Sequence, residues 1–146
     1  MTVDIQQSLL GYLWTLLTTD ADVRTAMGRS TYLLYHTWAK PDAAFPYMVH
    51  RIDMGILNDW SPEASCTYYL DIWSDSPNVQ EILSIRKLIM GLLDGLIFST
   101  DETTDCHLWI QTDGFVPEVE EGIWHYACQF NLKWLRDAQI GQLLKR

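Results

Sequence analysis

The run Gly122-Ile123-Trp124-His125-Tyr126-Ala127-Cys128-Gln129-Phe130-Asn131-Leu132-Lys133-Trp134-Leu135 alternates between two kinds of side chain. Trp124, Tyr126, Cys128, Phe130, Leu132 and Trp134 take every second position, with His125, Gln129, Asn131 and Lys133 between them. Successive strand side chains point to opposite faces, so this pattern predicts a half-buried strand with one apolar face. About thirteen residues would span roughly 40 Å unbroken, so a bend or a protruding end with a free edge is expected.

Working back from that strand, Cys106 to Gln111 reads as a second strand. Cys66 to Trp73 reads as a third, with Cys66, Tyr68, Leu70 and Ile72 on one face and Thr67, Tyr69, Asp71 and Trp73 on the other. Between them, Pro77 to about Leu93 predicts a helix. Ser76 is its N-cap, Pro77 its first residue, Val79, Ile82, Leu83, Ile89, Met90 and Leu93 its apolar face, and Gly95 its stop. Phe45 to Asp53 is extended, with Pro46 at the strand start or on an edge because it lacks an amide donor. Tyr32 to Tyr35 is a short β-prone run, Lys40-Pro41-Asp42 a turn, and Gly55 to Ser65 a loop carrying Trp60.

At the N-terminal end, Ile5, Leu9, Leu13 and Leu16, with Leu10, Trp14 and Leu17 beside them, predict an amphipathic helix. A short helix from Ala21 to Met27, capped by Asp20 or Thr19 and stopped at Gly28, follows. Strands come in runs rather than alternating with helices. That order predicts the α+β class, an antiparallel sheet with helices packed on one face. Residues 1–136 make a single domain, and 137–146 a C-terminal tail, a short helix or frayed.

Composition narrows the function. The 146 residues are 48 % hydrophobic and 20 % charged, which excludes a disordered chain. Nineteen acidic against ten basic side chains give a net charge of −9, which opposes coating a phosphate backbone. Cys66, Cys106 and Cys128 are odd in number and widely spaced, unlike a secreted disulfide framework. The N-terminal stretch carries Asp4 and no early Lys or Arg, unlike a signal peptide, and no apolar run reaches membrane-spanning length. A protein folded in a reducing cytoplasm, without a membrane partner, is expected.

Chemistry-bearing constellations are sparse. Cys106 and His107, or His125 and Cys128, fall on opposite faces of a strand and diverge from any common zinc site. Glu118, Glu120 and Glu121 cluster before the last strand, and Asp113-Gly114 reads as a turn. Such carboxylates serve a hydrolase only if a pocket raises one pKa. GxSxG, Walker A, GxGxxG and HExxH patterns are absent. No catalytic residue, metal ligand or cofactor is therefore assigned.

Two features point to contacts instead. Between Leu88 and Leu132 there is no Lys or Arg, while Asp94, Asp101, Glu102, Asp105, Asp113, Glu118, Glu120 and Glu121 all lie there; Lys133, Arg136, Lys145 and Arg146 follow. An acidic sector beside a basic one suits a contact between neighbours or a surface that repels a passing polyanion. Trp60, in a loop between Asp59 and Ser61, is an interface or loop-clamping candidate, whereas Trp14, Trp124 and Trp134 fit core faces. The candidate interface residues are Trp60, Asp101, Glu102, Asp105, Glu118, Glu120, Glu121, Lys133 and Arg136.

From Ile5 to Arg136 the chain resembles the tail-completion, or tail-terminator-like, proteins of long-tailed phages and prophages. The resemblance is carried by the N-terminal amphipathic helix and by Phe45-Pro46-Tyr47-Met48-Val49. It continues through Tyr69-Leu70-Asp71-Ile72-Trp73-Ser74 into the helix Val79 to Leu93. It ends on Val119-Glu120-Glu121-Gly122 and Trp124-His125-Tyr126-Ala127-Cys128-Gln129-Phe130. It implies a structural, non-enzymatic virion protein made in the host cytoplasm. It also implies a homo-oligomeric ring, usually a hexamer, that caps the tail tube and meets the head connector, with DNA only as passing cargo. A small acidic protein-binding module such as a DNA mimic, and a small hydrolase using the clustered carboxylates, stay open as alternatives.

Overall fold

The computed structural model describes residues 5–54 and 63–136. In chain order the elements are α1 (Ile5–Thr19), α2 (Ala21–Met27), β1 (Leu34–His36), β2 (Tyr47–Asp53), β3 (Glu63–Ser74), α3 (Gln80–Leu93), β4 (Leu96–Phe98), β5 (Thr103–Phe115) and β6 (Trp124–Arg136). The six strands form one sheet in the order β1-β2-β3-β6-β5-β4. Every pairing is antiparallel except β1 with β2. The expected α+β architecture with helices on one face is what the chain adopts.

Alternation in β3 and β6 builds the core. Tyr68 pairs with Phe130, Leu70 with Cys128 and Cys66 with Leu132, all pointing to the helix side and all buried. Leu9, Leu13 and Leu17 of α1, and Ile82, Ile85, Ile89 and Leu93 of α3, close over them at helical spacing. Each such side chain contributes about 1.5–3 kcal/mol by leaving water. Asp20 caps α2 as expected, its carboxylate accepting the Val23 amide at 3.0 Å, and Gly28 ends that helix at φ 72°.

Several expectations are corrected. The last strand has no free edge, because β6 lies between β3 and β5 and pairs along its whole length; β1 and β4 are the edges. The extra length is absorbed by β5, which carries register shifts between Thr104 and His107 and between Ile110 and Thr112. Asp105, at φ 51°, sits in the first. Asp113 and Gly114 belong to β5 rather than to a turn. The strand β4 was not read from the sequence, and β3 begins at Glu63, inside the expected loop. The first short strand is Leu34–His36, not Tyr32–Tyr35.

Helix α3 starts at Gln80, not Pro77, and Ser76 does not cap it. Ser74 holds this entry instead: its hydroxyl donates to Glu81 at 2.7 Å and accepts the Ser76 amide at 3.2 Å. Asn78 accepts the Gln80 amide. Leu83 and Trp14 are largely exposed rather than core, and Ile85 takes the buried position on α3. Trp60 and the tail 137–146 lie outside the described residues. None of the described helices is long and apolar enough to cross a membrane.

Candidate functional site

The face of the sheet turned away from the helices carries mainly rings and charges, with few aliphatic side chains such as Val49 and Ala127. Phe45 touches Tyr47 (5.1 Å between ring centroids), Tyr47 stacks on Trp73 (5.4 Å), and Trp73 stacks on His125 (4.1 Å, planes 17° apart). Tyr47, Trp73 and His125 are neighbours across β2, β3 and β6 because each register pair brings them side by side. Further along the face, the Arg51 guanidinium lies 3.8 Å from the Tyr69 ring centroid, and the Lys133 ammonium 5.7 Å from that of Trp109.

His125 ends this ladder between two carboxylates. Its Nδ1 lies 2.7 Å from Glu118 Oε1 and its Nε2 3.1 Å from Asp71 Oδ2. An ionised carboxylate only accepts, so the two contacts together favour the imidazolium, in which both ring nitrogens donate. Burial disfavours that charge, but Asp71 and Glu118 outweigh it through hydrogen bonds and charge, and the pKa rises above the usual histidine value. Trp73 Nε1 also donates to Glu118, at 3.3 Å. The loop between β5 and β6 is thereby clamped onto β3 and β6, with the Val116 amide bonded to the His125 carbonyl at 2.8 Å. Beyond the clamp, Val119 is fully exposed, and Glu120 and Glu121 make no hydrogen bond or ion pair among the described residues.

On the helix side a second histidine is set the opposite way. His50 is completely buried; Tyr68 Oη lies 2.6 Å from its Nδ1 and His36 Nδ1 2.8 Å from its Nε2. Burial pushes the Tyr68 pKa well up, so its hydroxyl keeps its proton. As a neutral ring, His50 donates from one nitrogen and accepts at the other, so it serves both neighbours at once. Burial, and then the charge of His36, pull its pKa down to about 3.

A third polar knot joins α3 to β5. Arg86 donates from Nε (3.0 Å) and Nη2 (2.7 Å) to one oxygen of Asp113, which also accepts the Tyr126 hydroxyl. The Tyr126 hydroxyl, and then Arg86 against an opposing effect of burial, hold the Asp113 carboxyl below its usual range. The cysteines are buried, and burial pushes the thiols of Cys66 and Cys128 up to about 12, which leaves them protonated. Cys106 is buried while His107, its neighbour, is exposed, so the two diverge as expected.

The candidate carboxylates separate into two groups. Asp101, Glu102 and Asp105 lie around the β4–β5 turn, and Glu118, Glu120 and Glu121 in the β5–β6 loop. The length of β5, on the order of 40 Å, lies between them. Glu118 is committed to His125 and Trp73. Lys133, on the open face, pairs with Glu63 at 3.7 Å, and Arg136 ends β6 opposite Thr103.

Sequence reasoning missed one surface. A groove of about 580 Å³ opens beside edge strand β1, between Trp14 and Thr18 of α1, Arg24 of α2, the segment from Ser30 to Tyr35, and Lys40. Its residues come from three elements that the sequence alone does not bring together. The nearest signal is that Arg24, Arg29 and Lys40 fall close together in an acidic chain.

Comparison with known proteins bears on the fold. No family model matches the sequence, and no curated protein matches it. Among solved structures, a chain of the virion of a native gene transfer agent particle superposes with a TM-score of 0.77 at 12 % identity, covering 92 % of this chain and 99 % of that one. A second solved protein, whose name describes no activity, gives a TM-score of 0.60 at 10 % identity over 90 % and 96 % of the two chains. This chain is thus built on the same fold as that gene-transfer-agent virion protein, across nearly the whole of both.

Proposed function

We propose that this chain is a structural component of a phage-like particle: a tail-completion, or tail-terminator-like, protein that forms a ring, built as a hexamer. It caps the head-proximal end of the tail tube and presents a surface to the head connector, inside the virion tail. The observation that carries this reading is the end-to-end fold match to a chain of a gene-transfer-agent virion. The resemblance of the sequence from Ile5 to Arg136 to tail-completion proteins supports the finer role.

The site chemistry favours contact over catalysis. His125 has both nitrogens engaged by carboxylates, which leaves no lone pair for a general base. The thiols of Cys66 and Cys128 are held protonated. The division of the carboxylates between two ends of β5 favours two separate contacts over one continuous anionic strip of the kind a DNA mimic needs. Ring formation requires a heterologous contact, in which one patch meets a different patch on the next copy.

Electron microscopy of the purified protein mixed with tail-tube subunits from the same genome tests the role. Rings seated at one end of tubes of fixed length are expected. Tubes that grow without limit and carry no cap would overturn it.

A further inference from the structure

We infer that the clamped β5–β6 loop of one copy seats in the groove beside β1 of a second copy, as the repeating contact of an assembly. This rests on the ring reading above and names its interface. The loop is prepared for such a contact. Glu118 ties it to His125 and Trp73, so its tip is held in place before any partner arrives, and the ordering cost of binding falls. What it projects is Val119, wholly in water, followed by two carboxylates without partners among the described residues.

The groove is complementary in both respects. Trp14 and Tyr32 give it aromatic walls, and Arg24 and Lys40 put cations on it. Tyr32 is 67 % exposed and Lys40 lies 4.4 Å from its ring centroid. Among the described residues, the one ionic partner of Lys40 is Asp42, itself well exposed, at 3.9 Å. The volume of about 580 Å³ suits a loop tip of a few residues. An apolar side chain would fill the centre, and Glu120 and Glu121 would meet the two cations. This is the arrangement of interfaces with an apolar core and a charged rim. The loop and the groove are different surfaces of the chain, so the contact is heterologous and can close a ring.

Charge reversal with sedimentation velocity tests it, using the full chain at about 0.1 M and about 1 M salt, where the screening length falls from roughly 10 to roughly 3 Å. Each reversal shifts charge by two, so E120K/E121K moves the net charge from −9 to −5 and R24E/K40E moves it to −13. If net charge governed association, the first pair would strengthen it and the second weaken it. The contact predicts that both weaken self-association at low salt, by about tenfold or more. It also predicts that all four substitutions in one chain restore assembly. Mixing the two reversed proteins should restore rings of alternating copies, because each loop then meets a groove of opposite charge on the other protein while like copies repel.

Circular dichroism matching the wild-type spectrum confirms that each variant folds. If the wild type forms rings and every variant forms them equally well, this contact falls and the ring reading stands. If the wild type stays monomeric at both salt concentrations, both fall.

Discussion

His50 and His125 are buried histidines of one sheet, on β2 and β6 with β3 between them, yet one is held neutral and the other is drawn toward its charged form. The difference is the face each occupies. His50 points under α1 into the core, where its partners are a hydroxyl and another imidazole, and no carboxylate among the described residues bonds to its nitrogens. His125 points to the open face, where Asp71 and Glu118 bracket it and Trp73 covers it. The helix side is dry around His50, whose polar partners are neutral, and its charged knot, Arg86 with Asp113, sits where both side chains are still partly in water. The open side carries charge because water still reaches the carboxylates. One sheet thus separates folding from surface chemistry.

The largest effects belong to the dry face. Phe130→Ala should cost about 3–5 kcal/mol in urea unfolding, because a ring completely buried against Tyr68 leaves a cavity. Trp73→Ala on the open face should cost less, about 2 kcal/mol, since that ring is only partly withdrawn from water. Equal losses for the two would show that the open face is part of the core.

The next effect is in pH. The folded pKa of His50 is depressed to about 3, against about 6.5 in an unfolded chain, so its contribution is present above about 6.5. It is lost as pH falls toward 3, by an amount on the order of a few kcal/mol. His50→Gln keeps an acceptor for Tyr68 and should flatten the acid limb of the stability curve. An unchanged limb would place the acid sensitivity elsewhere. For His125 the sign reverses. Its folded pKa is raised, so its contribution is complete below about 6.5 and is lost as pH rises through the folded value. Glu118→Gln should weaken this alkaline loss and free the loop, read as faster amide exchange at Val119 and Glu120. Unchanged exchange there would mean that the clamp does not hold the loop.

The smallest effect is at the exposed end of the open face. Lys133→Ala removes a pair with Glu63 at 3.7 Å, both partners about half exposed, and should change stability by about 0–1 kcal/mol. A larger loss would mean that the Lys133 stem packs on Trp109 more firmly than a 5.7 Å ring contact indicates.

How legible each face was in the sequence follows from the same division. Alternation marked the core faces of β3 and β6 and the face carrying His125, because a strand fixes side-chain direction without reference to neighbours. Strand order is a matter of pairing partners, so the central position of β6 was hidden, and with it the absence of a free edge. The two irregularities in β5 broke its alternation and concealed its true length. Three residues, Leu96–Phe98, were too few to show a period. Ser76-Pro77 looked like a helix start because local preference favours it there. The chain instead uses Ser74, whose bond to Glu81 spans the bend. For the site, Trp73 was legible as an open-face residue. The pairing of His125 with both Asp71 and Glu118 was not, since it depends on register across β3 and on the fold-back of a loop.

The central claim is that this chain is an assembling virion component, and the mass of the purified protein in solution, measured by native mass spectrometry, tests it most directly. The account predicts one dominant closed species of defined subunit number, six, with little monomer at low salt. A monomer at every concentration and salt tested would contradict it.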